Sequence, residues 1–413
     1  QSQIQATCFT MPCYRYFDLP GTDHLTAFQD WRYGEIRDPE GWDGNFGYSR
    51  YVTPLQCSSA SHQAGKETIL CEMYGVRTEN LGLRDQRAMF DMFAALGINH
   101  RSVHGIFYSL RGRGKRAYPP HISDYQPYWP AYHLLTDTLA REARFLRSGR
   151  PVRELMVLHP MDSAFGLYKG YHPEGPRPDL TDIRRESRRL YELMRALTGW
   201  QCSFELGDEE CLEDMGRVEQ GRLAIGAMDY SAVLLPHLQT LRSNTLELLS
   251  AFGKAGGRIL VLGPLPERLD GLFCPELSKQ LKALPGLIMV QGWRELKETL
   301  DALPVPYRLE PIGPCPELQV HYREDGNQKL LFLHNNNYRE CCICQESWPL
   351  PNGNRRRGIP FPLPAAGKKK KHWRNVSFPR AGPCCFPPSP RKACPCFQRK
   401  KRSGRSLPFS AGR

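Results

Sequence analysis

The residues of this chain best suited to chemistry lie in one stretch, Lys66 to Arg116. Glu72 ends the short apolar run KETILCE, between Cys71 and Met73, and His104, Tyr108 and Ser109 close a second run, INHRSVHGIFYS. A carboxylate at a strand end can act as a general base, and an imidazole and a phenol beside it can donate and accept hydrogen bonds. The competing role for Glu72 is a structural ion pair with Arg101 or Arg111, and for His104 a place in the core. Arg111, Arg113, Lys115 and Arg116 either line the same rim or form a solvated loop. Upstream, LPGTDHL sets Asp23 and His24 behind a Pro-Gly turn, as a loop that binds a polar ligand or as a turn with a capping Asp. Downstream, YPPHISDYQPYWP offers Tyr125, Tyr128 and Trp129 as an aromatic platform or as rings that pack on one another.

The elements that must position these groups follow from hydrophobic periodicity. Glu67 to Glu72 is short and apolar, as a buried parallel strand should be. Leu83, Met89, Phe90, Phe93 and Leu96 then recur at helical spacing up to the stop at Gly97. Ile98 to Tyr108 reads as the next strand, giving a right-handed βαβ unit that delivers side chains to one rim of a sheet. Residues 1 to 65 read as loops with a few short helices, including one from Ser58 to Gly65 that leads into the first strand. A helix is expected from about Pro130 to Leu146. Beyond Val152, RELMVLHP, SAVLLP, RILVLGP and GLIMVQG read as strands, with helices at Asp179 to Leu197, Asn244 to Ala255 and WRELKETLDAL, and an unassigned segment SKQLKAL, between and after them. That alternation indicates an open, doubly wound parallel sheet. Its glycines Gly256, Gly257 and Gly263 flank a strand and open no helix, so a dinucleotide fingerprint is absent and no nicotinamide cofactor is expected. Neither Cys202 nor Cys211 sits on a nucleophile elbow. Asp208, Glu209 and Glu210 either approach the first rim or form an acidic helix start. Leu318 to Tyr322 and Lys329 to His334, joined by EDGN, form a β-hairpin.

Charge divides the chain unevenly. Of the net +13, the last 73 residues supply 17 Lys and Arg against the single acid Glu346, or +16, which leaves the first 340 residues at −3. The tail is rich in Pro, Arg, Lys, Cys and Gly without periodicity, so it is expected to be disordered. KKKK at 368–371 and RKKR at 399–402 raise polyanion or nucleic-acid binding as an alternative role. Cys341 and Cys344 form a C-x-x-C with no matching second pair, which argues against zinc. The eight cysteines before residue 341 are scattered, which favours reduced thiols and a cytoplasmic location. The chain starts at Gln1 without Met, so a preceding leader is left open. No apolar run approaches the ~20 residues of a membrane span.

LPGTDHL, SSASHQAGKETILCEMYG, GINHRSVHGIFYSLRGRGKRAYPPH, LGDEE, YSAVLLPHLQTL and AGGRILVLGPLP, in that order, resemble the bacterial glycoside hydrolases of the α-L-rhamnosidase kind, family 106 and its unclassified relatives. The resemblance covers roughly Gln1 to Asn336. It implies an α/β fold: a partial TIM-type (β/α) barrel over 1–150, a doubly wound flavodoxin- or glutaminase-like domain over 151–304, the start of a β-domain over 305–337, and a basic, disordered tail over 338–413 with the composition of a shifted reading frame. It implies a carbohydrate substrate, α-L-rhamnosides or related plant or bacterial polysaccharide glycosides, and no cofactor, with calcium unassignable. Membrane and nucleic-acid partners are not expected. Glycoside hydrolysis needs two carboxyl groups about 5 to 10 Å apart. By its placement Glu72 is the candidate for one of them, and Asp23, His24, His104, Tyr108, Arg111 and Trp129 are the candidates for contacting the substrate. Glu67, Asp43, Asp23 and Glu79 are possible second carboxylates, but the resemblance places the partner on strands upstream of Gln1, so an inactive fragment is expected. A non-catalytic carbohydrate-binding or structural piece is the alternative.

Overall fold

The computed structural model describes residues 2–3, 10–25, 45–75, 79–113, 120–168, 181–304, 308–311, 315–335 and 344–347. Almost all of the basic tail, with both lysine and arginine runs, lies outside them, as do Asp43, Lys115 and Arg116.

Four strands form a wholly parallel first sheet in the order Ser2–Gln3, Pro20–Leu25, Leu70–Gly75 and His100–Val103. Three boundaries differ from the sequence reading. Pro20–Leu25, expected as a turn, is a strand. The next strand starts three residues later than expected and runs to Gly75, so Glu72 lies inside it. The fourth stops at Val103, five residues short of Tyr108. Gly105 explains that stop: its φ is +94°, and a Cβ there would lie 1.9 Å from the Pro120 carbonyl oxygen. The chain turns away at the only residue type that tolerates both conditions. The Leu83–Ala95 helix packs on the sheet through Met89, Phe90 and Phe93. Gly97 ends it at φ +106°, pressed so closely on Ser58 that a Cβ would lie 2.7 Å away. Asn99 then aligns the Leu70–Gly75 and His100–Val103 strands, because its Oδ1 accepts from Ile69 N at 2.9 Å and its Nδ2 donates to Glu67 O at 2.8 Å.

The second sheet has five parallel strands in the order Leu287–Val290, Arg258–Leu262, Ala232–Leu235, Leu155–Leu158, Phe204–Gly207. The chain thus starts near the middle, steps outward once, and returns to build the other side, which is doubly wound topology. Alternate residues feed opposite faces: Leu155 and Val157 enter one core with the Thr181–Gly199 and Trp293–Asp301 helices, whereas Met156 and Leu158 enter another with the Ser243–Lys254 and Leu277–Lys282 helices. One element absent from the sequence reading is the antiparallel meander Gly216–Glu219, Arg222–Ile225, Met228–Tyr230. The hairpin Leu318–Asp325 and Gln328–Asn335 gains a third strand from Arg150–Pro151.

The Asn45–Gln63 helix joins these parts. Its end, SSASHQ, reads as polar, yet Ser58, Ser59, Ser61, His62 and Gln63 are all buried. The reason is that it covers the outer edge of the second sheet, where backbone groups would otherwise lack partners. Ser59 Oγ accepts from Leu206 N at 3.0 Å and Gln63 Nε2 donates to Leu206 O at 2.8 Å. Beside them the buried Glu205 takes His62 Nδ1 at 2.6 Å, Tyr230 Oη at 2.8 Å and Arg153 Nε at 3.5 Å. His321 of the hairpin lies 3.3 Å from Arg153 Nη2. Helix, sheet and hairpin therefore share one buried polar cluster.

Candidate active site

Parallel pairing places Asp23 opposite Glu72 and Glu72 opposite Ser102 across three adjacent strands. Paired residues in a sheet share a face, so the two carboxylates stand side by side. Cys71 and Met73, on either side of Glu72, are in the core, whereas the Glu72 side chain keeps 26 % of its surface exposed. The register slips between Asp23 and Leu25, at His24. His104 follows the last strand directly; its N donates to Met73 O at 3.0 Å and its Nε2 lies 4.0 Å from Glu72 Oε1. Asp23, Glu72 and His104 thus come together on one face.

Arg101 is not the partner of Glu72. It pairs with Cys71, one position out of step, and donates to the Tyr74 and Tyr132 hydroxyls, each at 3.3 Å. Tyr74 reaches that arginine because its φ of +78° turns the strand end over. Glu79 is committed elsewhere: it accepts from His121 Nδ1, from His121 N at 3.1 Å and from Gln126 Nε2 at 2.6 Å, which pins the loop after Pro120.

The remaining expected rim residues sit differently. Tyr108, expected at a strand end, is in the loop beyond Gly105 and fully exposed, and its carbonyl accepts from Tyr125 Oη at 3.5 Å. Arg111 is exposed on the same loop, with its N donating to Ser109 Oγ at 3.1 Å. Both were displaced by the early end of the strand. Trp129 lies on the 3-10 turn Trp129–Ala131 and stacks on Tyr132 at 5.1 Å and 18°, so one ring face is covered by its own segment. Asp208 caps the Glu209–Met215 helix, accepting from Glu210 N at 3.0 Å, and Glu209 accepts from Arg242 N at 2.8 Å. Burial pushes the Asp208 carboxyl up to about 6 and that of Glu209 up to about 7. Their bonds are to the second sheet's own loops.

Among the described residues no group of three or more His, Cys, Asp or Glu is arranged to hold a metal ion. Their cysteines are unbridged. No described helix is long and apolar enough to cross a membrane.

The sequence matches no protein-family model and no curated protein. Solved structures do match. A rhamnosidase from Novosphingobium sp. PP1Y aligns with a TM-score of 0.57 at 13 % identity, over 82 % of this chain and 31 % of its own. An exo-carrageenase of family GH42 from Bacteroides ovatus aligns at 0.55 and 10 % identity, over 82 % and 44 %. A GH42 β-galactosidase from G. stearothermophilus aligns at 0.55 and 12 % identity, over 84 % and 58 %. At such identities the likeness is one of fold: a mixed α/β chain with parallel sheets, similar to glycoside hydrolases. The chain spans from about a third to three fifths of those proteins.

Proposed function

We propose that this chain is the carbohydrate-handling part of a glycoside hydrolase, acting on α-L-rhamnosides or related glycosides. The first sheet is read as part of a (β/α) barrel within 1–150, and the doubly wound sheet as a supporting domain over 151–304. The observation that carries the reading is the in-register pair Asp23 and Glu72, with His104 beside Glu72. Neighbouring strands stand about 4.8 Å apart. Two carboxylates sharing a face across that gap match the separation of about 5 to 10 Å that glycoside hydrolysis uses. Here Glu72 acts as general base or as the carboxylate that stabilises the oxocarbenium-like transition state, and Asp23 is the second carboxyl group. That assignment replaces the expected partner upstream of Gln1 with a residue of this chain. His104 orients Glu72, and the loop carrying Tyr108 and Arg111 with Trp129 contacts the sugar outside the sheet.

The test is hydrolysis of a panel of aryl glycosides by the chain and by Glu72→Gln. Turnover of the α-L-rhamnoside, reduced at least about 100-fold by the substitution, supports the reading. A panel without turnover, or turnover that Glu72→Gln leaves intact, contradicts it.

A further inference from the structure

A cleft of about 610 Å³ opens at the carboxyl edge of the five-stranded sheet, a size in the ordinary range for small-molecule sites. Pro160 and Pro236 line it, and each follows one of the two central strands, Leu155–Leu158 and Ala232–Leu235. From these two the chain winds outward in opposite directions. Open doubly wound sheets bind ligands at this switch point, because the connecting helices part there to opposite faces.

The lining states what kind of ligand fits. Its floor is apolar, built from Leu190, Leu262 and Met289 among others, and Trp293 stands at the rim with 44 % of its surface exposed. The indole is held edge-on by Trp200, with centroids 6.2 Å apart at 69°. Against this ring is a fixed polar group. Glu186, whose side chain is only 9 % exposed, accepts from His237 Nδ1 at 2.8 Å and from Arg189 Nη1 at 2.8 Å. Arg189 Nη1 also lies 3.2 Å from His237 Nδ1; in the tautomer that serves the shorter contact to Glu186 the proton is on Nδ1 and Nε2 is an acceptor. Among the described lining residues the one guanidinium, Arg189, is already paired with Glu186 at 2.8 Å, and Glu192 is reached by Arg188 at 3.6 Å, so the lining offers a phosphate no unpaired cation.

We propose that this cleft binds a neutral pyranose unit. A pyranose has an apolar C–H face to lie on the Trp293 indole and hydroxyl groups that both give and take hydrogen bonds. Trp293, Arg189, Glu186 and His237 present the complementary set on a preformed wall. The role goes beyond the reading of the first sheet and shares no residue with it.

The experiment follows the seven tryptophan indole N–H resonances of the full chain during titration with methyl α-L-rhamnopyranoside and methyl β-D-galactopyranoside. The resonance missing from Trp293→Phe assigns Trp293. The expected result is a saturable shift of that resonance with at least one pyranoside, weakened at least about tenfold by Glu186→Gln and unchanged in Glu72→Gln. Sodium phosphate and choline chloride should leave it in place. A Trp293 resonance that neither sugar moves, that phosphate or choline moves equally, or that responds normally in Glu186→Gln overturns the proposal. Turnover at the first sheet is independent of each of these outcomes.

Discussion

Glu72 and Asp23 gain their meaning from register. From the sequence, Glu72 was legible because a carboxylate inside an apolar run has a cost that a site must justify. Asp23 was legible only as one polar residue after a Pro-Gly pair, since six residues opening with Pro and Gly carry no strand signal. The buried histidines were less legible still, because His62 and His159 sit in segments whose partners come from distant parts of the chain. Burial lowers the imidazole of His159 to about 4, and Gln56 Nε2 lies 2.9 Å from its Nε2. A histidine whose folded value is depressed contributes stability above its unfolded value near 6.5, and that contribution is lost as pH falls from there toward 4. The stability difference between the protein and His159→Gln, measured by urea unfolding across this window, should therefore shrink by about 3 kcal/mol. A pH-independent difference would contradict the neutral, buried assignment. Asp208 and Glu209 act in the opposite sense. Burial raises both, so the charged forms that prevail above about 6 and about 7 are disfavoured in the fold. Glu209→Gln keeps an acceptor for Arg242 N, so it should gain stability relative to the protein at pH 8 and lose that gain by pH 4.

Four of the five strands of the second sheet were readable from pattern alone, because four-residue apolar runs separated by amphipathic helices have few other ways to bury themselves; the edge strand Phe204–Gly207 was not, since Glu205 interrupts its short apolar run. What the pattern missed was decided by contacts at a distance. The His100–Val103 strand ends where Pro120 approaches Gly105, and no local signal in INHRSVHGIFY separates that glycine from an ordinary strand residue. The consequence was to move Tyr108 and Arg111 off the expected rim. Gly105→Ala should lower the unfolding free energy by about 2 kcal/mol or more, through both positive φ and the clash with the Pro120 carbonyl. Equal urea midpoints would show that the close approach is absent in solution. The Asn45–Gln63 helix has the same lesson in reverse. Its serines and glutamine resemble a surface, but they are the partners of an edge strand.

Across the whole molecule, the buried cluster around Glu205 joins helix, sheet and hairpin. Glu205 is the carboxylate that faces Arg153, with Arg323 close to the same group. Burial lowers the Arg323 guanidinium to about 10. Removing the carboxylate in Glu205→Ala leaves buried positive charge uncompensated and should cost about 3–5 kcal/mol. Loss of that order in chemical unfolding, with faster protease cleavage between the first sheet and the second, is the expected outcome, and wild-type stability would contradict the joint. The Asn45–Gln63 helix, which brings His62 to the cluster, also contacts the Pro20–Leu25 strand of the first sheet. The most direct test of the central claim is therefore the rate of aryl α-L-rhamnoside hydrolysis by Asp23→Asn and Glu72→Gln, each shown to be folded, beside the unmodified chain. Turnover in the unmodified chain and a loss of at least about 100-fold in each variant are expected. Full activity in Asp23→Asn would contradict the paired-carboxylate site.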